Sequence, residues 1–265
     1  MIKLSNFSFQ YGEKSIIKDA DIEIPQGSLT VFLGINGVGK STLFKCLLKQ
    51  ERVEKGHAFI DGNDIVNLNN KQLSNLIAYV PQMNEMVLSD SYVRDYLVES
   101  RTNYLRPFSV PGKKEYLLVN EYAEKMGITH LLSRKLNSLS GGELQLVSIT
   151  RALSQETPII IMDEPMSALD IPNQLKILKM IQAINNDQKT ILFSTHDPNH
   201  ALMLKADVCL LRKESTIVYG YCDEVLTKEN IQENFSEFTE MIETSNGVRC
   251  FILDTNQQQS QREKS

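Results

Sequence analysis

SLTVFLGINGVGKSTLFKCLLKQ, residues Ser28 to Gln50, decides the architecture of this 265-residue chain. The apolar run Leu29 to Leu33 predicts a short buried strand, and the amphipathic segment Thr42 to Leu48 predicts a helix. Between them Gly34, Asn36, Gly37, Gly39, Lys40 and Ser41 follow the spacing of a phosphate-binding loop. The glycines let the backbone curl until successive amides face one phosphate group. The helix that follows presents its unsatisfied amides and the positive end of its dipole to the same anion. Lys40 is long enough to reach β- and γ-phosphates, and the Ser41 hydroxyl can ligate Mg²⁺. Nucleotide binding is the expectation from this stretch alone.

Composition sets the frame. The length suits one large α/β domain or a domain with an inserted subdomain. A hydrophobic content of 42%, a charged content of 23% and a net charge of −5 describe an ordinary globular chain without a basic footprint, so nucleic acid is not an expected partner. Cys46, Cys209, Cys222 and Cys250 are too far apart for a disulfide framework or a metal knuckle. The N-terminus lacks a signal-peptide core, and no apolar run approaches membrane-spanning length. The expected location is the cytoplasm, with any membrane role exercised through a partner.

Working outward from the loop, Ile2 to Phe9 alternates as a half-buried strand, Tyr11-Gly12 reads as a turn, and Asp21 to Ile24 as a further short strand. Strands are expected at Ala58 to Ile60 and at Leu76 to Pro81, the latter running into Gln82. From Asn84 to about Leu136 strand signals stop, and Val93 to Ser100 and Tyr116 to Met126 show helical spacing. Leu139-Ser-Gly-Gly-Glu143 then precedes a helix over Leu144 to Leu153. Pro158 to Asp163 predicts a buried parallel strand, Pro172 to Ile184 a helix, and Thr190 to Ser194 a further buried strand ending at Thr195-His196. Val208 to Leu211 and Thr216 to Tyr219 form an expected hairpin. After about Ile231 the pattern weakens, and Gln257 to Ser265 reads as a frayed polar tail. The expected divisions are 1–83 and 155–230 for the core, 84–154 for the helical subdomain and 231–265 for a C-terminal extension.

Ligands of doubly wound sheets gather at the carboxyl ends of strands. Asp163 fits a Mg²⁺ partner there, and Glu164 can take a proton from an attacking water. His196 and Gln82 stand at the same expected edge. Ser140, Gly141 and Gly142 open a second helix with small residues, a second surface suited to phosphate.

Together these motifs resemble the ATP-binding cassette (ABC) ATPases over roughly residues 2 to 225. Tyr11 matches the adenine-stacking aromatic, Gly34 to Thr42 the Walker A motif, Gln82 the Q-loop, and Leu139 to Glu143 the signature. Ile159 to Glu164 matches Walker B, Ser167 to Asp170 the D-loop, and His196 the switch histidine. The resemblance implies a RecA-like P-loop NTPase core of α/β class, with an N-terminal antiparallel β subdomain and an inserted helical subdomain. It implies ATP and Mg²⁺ as cofactors and head-to-tail pairing of two copies, with Ser140 to Gly142 of one copy closing over the γ-phosphate held by Lys40 of the other. It further implies that Glu164 polarises water, His196 contacts the γ-phosphate, Gln82 senses Mg²⁺, and Asp170 acts across the dimer. Three positions depart from the family: Glu143 replaces the usual Gln, Leu146 a common Arg, and Met166 a frequent Thr. The second departure leaves the polar contacts of the signature helix open.

Ala78 to Gln82, Val93 to Leu97 and His196 to Ala201 look like the ATPases of iron-chelate (siderophore or haem) and cobalamin importers, and molybdate relatives share these features. That resemblance implies a separate permease docking near Met83 to Arg94, with Met83, Met86, Val87 and Leu88 as contacts, and an extracytoplasmic solute-binding protein beyond it. The chain would then sit on the inner face of the membrane. Export, or a cytosolic role on ribosomes or DNA, stays as the alternative.

Overall fold

The computed structural model describes residues 1–83, 89–105, 109–167, 169–236, 239–243, 245 and 249–253. The chain divides into two compact units, Met1–Asp64 with Ser194–Ser265, and Ile65–Phe193.

In the first unit the N-terminal alternation builds two long strands, β1 (Ile2–Tyr11) and β2 (Lys14–Ile24). The expected turn is present one residue on, at Gly12-Glu13, and the expected strand at Asp21 to Ile24 is the end of a longer one that begins at Lys14. Only Gly12 and Glu13 separate the paired Tyr11 and Lys14, and Gly12 takes the reversal at φ 57°. Such a tight turn leaves Tyr11 in the strand. β3 (Leu29–Leu33), β4 (Ala58–Ile60) and β5 (Asn63–Asp64) follow, and an antiparallel sheet forms in the order β2-β1-β4-β5. Its inner face buries Ile2, Phe7, Ile17, Ile24 and Ile60. β3 pairs in parallel with β9 (Asp207–Leu211), which carries β10 (Ile217–Tyr221) antiparallel on its other side. α1 (Lys40–Leu47) packs Phe44 edge-on against Phe32 of β3, with ring centroids 4.9 Å apart.

The C-terminal part of this unit holds more structure than the sequence pattern suggested. α7 (Pro198–Leu204), α8 (Cys222–Val225) and α9 (Lys228–Asn234) lead to a hairpin of β11 (Thr239–Glu243) and β12 (Arg249–Leu253). Asn199 docks this hairpin. Its amide donates to the Phe251 carbonyl at 3.2 Å, and its oxygen accepts from the Phe251 amide at 2.8 Å. Gln257 to Ser265 lies outside the described residues.

The second unit contains three parallel strands, with β7 (Ile159–Met162) between β6 (Ile77–Val80) and β8 (Thr190–Thr195), whose last two residues fall in the first unit. All four residues of β7 are buried, which is why they read as an unbroken apolar run. α2 (Asn70–Leu76), unmarked by any strong apolar period, is started by a reciprocal cap between Asn69 and Gln72. α3 (Val93–Glu99), α4 (Lys113–Lys125) and α5 (Gly141–Ser154) pack on one another. Their polar ties are specific: Arg151 lies over the Tyr96 ring at 4.6 Å and donates to the Tyr96 carbonyl at 3.2 Å, and the Ser100 and Ser154 hydroxyls meet at 2.8 Å. α6 (Ile171–Asn186) buries Ile177, Leu178, Ile181 and Ile184. Among the described residues no helix is long and apolar enough to cross a membrane.

Candidate nucleotide site

The phosphate-binding loop spans the gap between β3 and α1, and sterics dictate its glycines. A Cβ on Gly34 would stand 2.8 Å from a Val38 methyl and 2.9 Å from the Leu211 carbonyl oxygen. On Gly39, at φ 119°, it would stand 2.5 Å from the Ile16 Cγ2. No L-residue fits either place, so the loop keeps its backbone bare toward the cradle. Gly37 also takes a positive φ, 78°, and Asn36 beside it is exposed. The Lys40 ammonium is only 4% exposed and donates to the carbonyls of Gly34 at 2.8 Å and Ile35 at 3.1 Å. A cation is thereby held against the loop backbone, the charge an oligophosphate needs. Ser41 and Thr42 occupy the first turn of α1 and are half-buried.

Tyr11 ends β1 with 46% of its surface exposed. Its hydroxyl donates to the Glu51 carboxylate at 2.6 Å, and Phe9 meets its ring edge-on at 5.0 Å. Glu51 is the chief cause that lifts the phenol above its usual range, with Thr42 opposing. His196 follows β8 and is exposed. Behind it the buried His200 ring meets the Thr195 hydroxyl at 2.9 Å. Burial holds the His200 pKa down against the pull of Asp197.

The acidic residues belong to the second unit. Asp163 follows β7, is 1% exposed, and donates its amide to the Val80 carbonyl at 2.9 Å. Glu164 takes φ 44°, in the left-handed region that a side chain disfavours. Its carbonyl accepts from the Ser167 amide at 3.0 Å and hydroxyl at 2.9 Å, a turn that fixes the backbone. The Gln82 amide donates to the Glu164 carboxylate at 3.4 Å, so these two residues, 82 positions apart, come together. Asp170 caps α6 by accepting from the Asn173 amide at 3.1 Å. Asn173 in turn stands beside Gly142, where a Cβ would come 3.5 Å from its amide nitrogen.

Ser140 caps α5 in a reciprocal box with Glu143. The Glu143 carboxylate accepts from the Ser140 amide at 2.7 Å and hydroxyl at 2.9 Å, and Ser140 Oγ accepts from the Glu143 amide at 3.4 Å. These bonds, with a smaller contribution from Arg134, hold the Glu143 pKa below the usual carboxylate range. Met83 reaches this end of the helix, its terminal carbon 3.0 Å from where a Gly141 Cβ would be. Met86, Val87 and Leu88 lie outside the described residues. Leu146 is buried, and among the described residues neither polar atom of the fully buried Gln145 side chain has a hydrogen-bond partner.

Glu51 and Arg134 were not legible as site residues. Glu51 acts on a residue 40 positions away through one contact, and Arg134 carries no motif. Only the unusual acid at 143 hinted that a counter-charge should exist.

The sequence model of the ABC transporter family matches residues 17–167. The chain belongs to that family. ABC relatives of similar length cover nearly all of it. The iron(3+)-hydroxamate import ATP-binding protein FhuC of Bacillus subtilis is 31% identical over 88% of this chain and 86% of its own. The ferric enterobactin transport ATP-binding protein FepC of Escherichia coli is 30% identical over 92% and 86%. Among solved structures, a metal-chelate-type ABC transporter in an inward-facing conformation superposes with a TM-score of 0.83 at 27% identity, covering 97% of this chain and 98% of that one. The dimeric cassette MJ0796 bound to ADP and Pi gives 0.71 at 25% identity, over 84% and 99%. The protein is therefore an ATP-binding, ATP-hydrolysing ABC cassette, with the P-loop NTPase fold.

Proposed function

We propose that this cassette powers import of an iron chelate through a separate membrane permease, from the cytoplasmic face of the membrane. The observation that carries the reading is the near full-length likeness to iron-chelate import ATPases and to a metal-chelate-type transporter structure. Haem and cobalamin are further cargoes of the same chelate class. A manganese transport ATP-binding protein of Listeria innocua, 32% identical over 87% of this chain, supports a second reading in which the cargo is a bare metal ion.

Two copies pair head to tail in this reading. Tyr11 stacks on adenine, and the Gly34 to Thr42 loop with Lys40 holds the phosphates. Ser140, Gly141 and Gly142 of the second copy supply hydroxyl and amide donors to the γ-phosphate, where negative charge grows in the transition state. Glu164 accepts the proton of the attacking water, His196 donates to the γ-phosphate, and Asp170 acts across the dimer. Ser41, Asp163 and Gln82 are hard oxygen donors, the set that Mg²⁺ prefers. Bound there, Mg²⁺ would neutralise phosphate charge. Met83 to Arg94 faces the permease, and a solute-binding protein delivers cargo on the far side.

The test is transport by the cassette reconstituted with its permease in vesicles. ATP-dependent uptake of a ferric siderophore and not of Mn²⁺ is expected. Uptake of free Mn²⁺ with no chelate transport selects the second reading, and uptake independent of ATP overturns both.

A further inference from the structure

Glu143 stands where the family usually has a neutral glutamine, and its carboxylate lies one hydrogen bond from the Ser140 hydroxyl. An unbalanced anion there would compete with an incoming γ-phosphate for that hydroxyl and would repel its charge. Arg134 answers the repulsion directly, and by drawing charge toward Oε1 it weakens the hold of Oε2 on the Ser140 proton. Its Nη1 donates to Glu143 Oε1 at 2.8 Å, leaving Oε2 to the Ser140 amide and hydroxyl. Its Nη2 donates to the Ser138 carbonyl, so one guanidinium spans the turn on both sides of the serine.

The Arg134 backbone is itself anchored. Its carbonyl accepts from Val93 at the start of α3 at 2.9 Å, its amide donates to Leu131 at 2.9 Å, and a β-bridge joins Tyr92 to Lys135 beside it. The pair is 38% and 29% exposed, and an ion pair so open to water adds little to folding stability. Beside a polyanion the same charge has a much larger effect.

We propose that Arg134 is a positioning residue for the signature serine. It balances the Glu143 charge and holds the 138–143 turn, so that Ser140 and the first amides of α5 can donate to a phosphate brought by a second copy. This rests on the dimeric reading given above.

The test is a cycle in the full-length chain. R134A is expected to lower kcat about tenfold, the effect of one uncompensated charge two hydrogen bonds away, at about 6 Å and an effective dielectric of about 40, while the KM for ATP changes less than about twofold because the Lys40 cradle is untouched. Adding E143Q removes the carboxylate that needs balancing, and R134A/E143Q is expected to turn over as fast as E143Q alone. In an E164Q background, R134A should raise the ATP concentration for half-maximal dimerisation about tenfold, with E143Q reversing the shift. R134Q carries the same expectations if R134A folds poorly. A double variant as slow as R134A reduces Arg134 to a brace for the loop and overturns the proposal. So does an E164Q chain that dimerises at the same ATP concentration with and without the guanidinium. An E164Q chain that never dimerises with ATP overturns the dimeric reading itself, and this inference with it.

Discussion

Gly39→Ala is the sharpest single probe of the phosphate cradle. Two separate costs meet at this position. The backbone holds φ 119°, which an alanine adopts at about 1–3 kcal/mol. The new methyl would also stand 2.5 Å from Ile16 Cγ2, and overpacking of that kind costs about 1–3 kcal/mol. G39A should therefore lose about 2–6 kcal/mol of stability in urea unfolding, the sum of the two. The alternative for the chain is to move the loop off the helix start, which spares stability and abolishes ATP binding. The costs separate in a double variant. Ile16→Ala removes the colliding carbon, so G39A/I16A should recover the steric share and keep the backbone share, giving a favourable coupling of about 1–3 kcal/mol. Urea midpoints and titration with a fluorescent ATP analogue read both quantities. A G39A chain within about 0.5 kcal/mol of the wild type that also binds ATP normally would refute the steric account of the loop.

The other expectations are brief. Glu164→Gln should cut turnover about 10²–10⁴-fold while ATP still drives dimerisation, seen by gel filtration; normal turnover would remove Glu164 from its role. Lys40→Ala should weaken ATP binding more than about tenfold by calorimetry, since a charge on the phosphates is lost, and unchanged affinity would contradict the cradle. Gln145→Leu removes a buried amide with no partner among the described residues and should stabilise the chain by about 1–3 kcal/mol in urea; a loss of stability would mean that the amide is satisfied. His200 has its pKa pushed down by burial, so the unfolded chain takes up the proton first as pH falls. Stability should decline as pH drops through about 6.5 toward the folded value, and His200→Asn should lack that part of the slope.

How much of this was legible follows from how local each signal is. The strand, loop and helix around Gly34 to Ser41 lie within one continuous stretch, so their chemistry shows in the sequence itself. The same holds for Ser140 to Glu143, where cap and partner are three residues apart. The run of four buried residues in β7 announced its burial by having no polar member. α7 begins at Asp197-Pro198, a cap followed by a residue suited to the first turn, but its seven residues offer too short a period to read as a helix. β11 alternates weakly, because its Met241 and Ile242 are both partly exposed and only neighbouring elements show which face is inner. The Tyr11–Glu51 and Arg134–Glu143 contacts depend on tertiary placement, which neither residue encodes alone.

The docking of the C-terminal hairpin reaches beyond the hairpin. A carboxamide offers one donor and one acceptor at nearly the spacing of a peptide unit, so Asn199 on α7 pairs with Phe251 as a neighbouring strand would. Aspartate at that position has no donor for the carbonyl, and glutamine is longer by a methylene. Asn199, three positions after His196, is thus one of the ties that hold β12, beside the contact of Arg249 with Asp223. Loss of the carboxamide would weaken this pairing without touching the loop at Gly34 to Ser41 or the turn at Ser140 to Glu143.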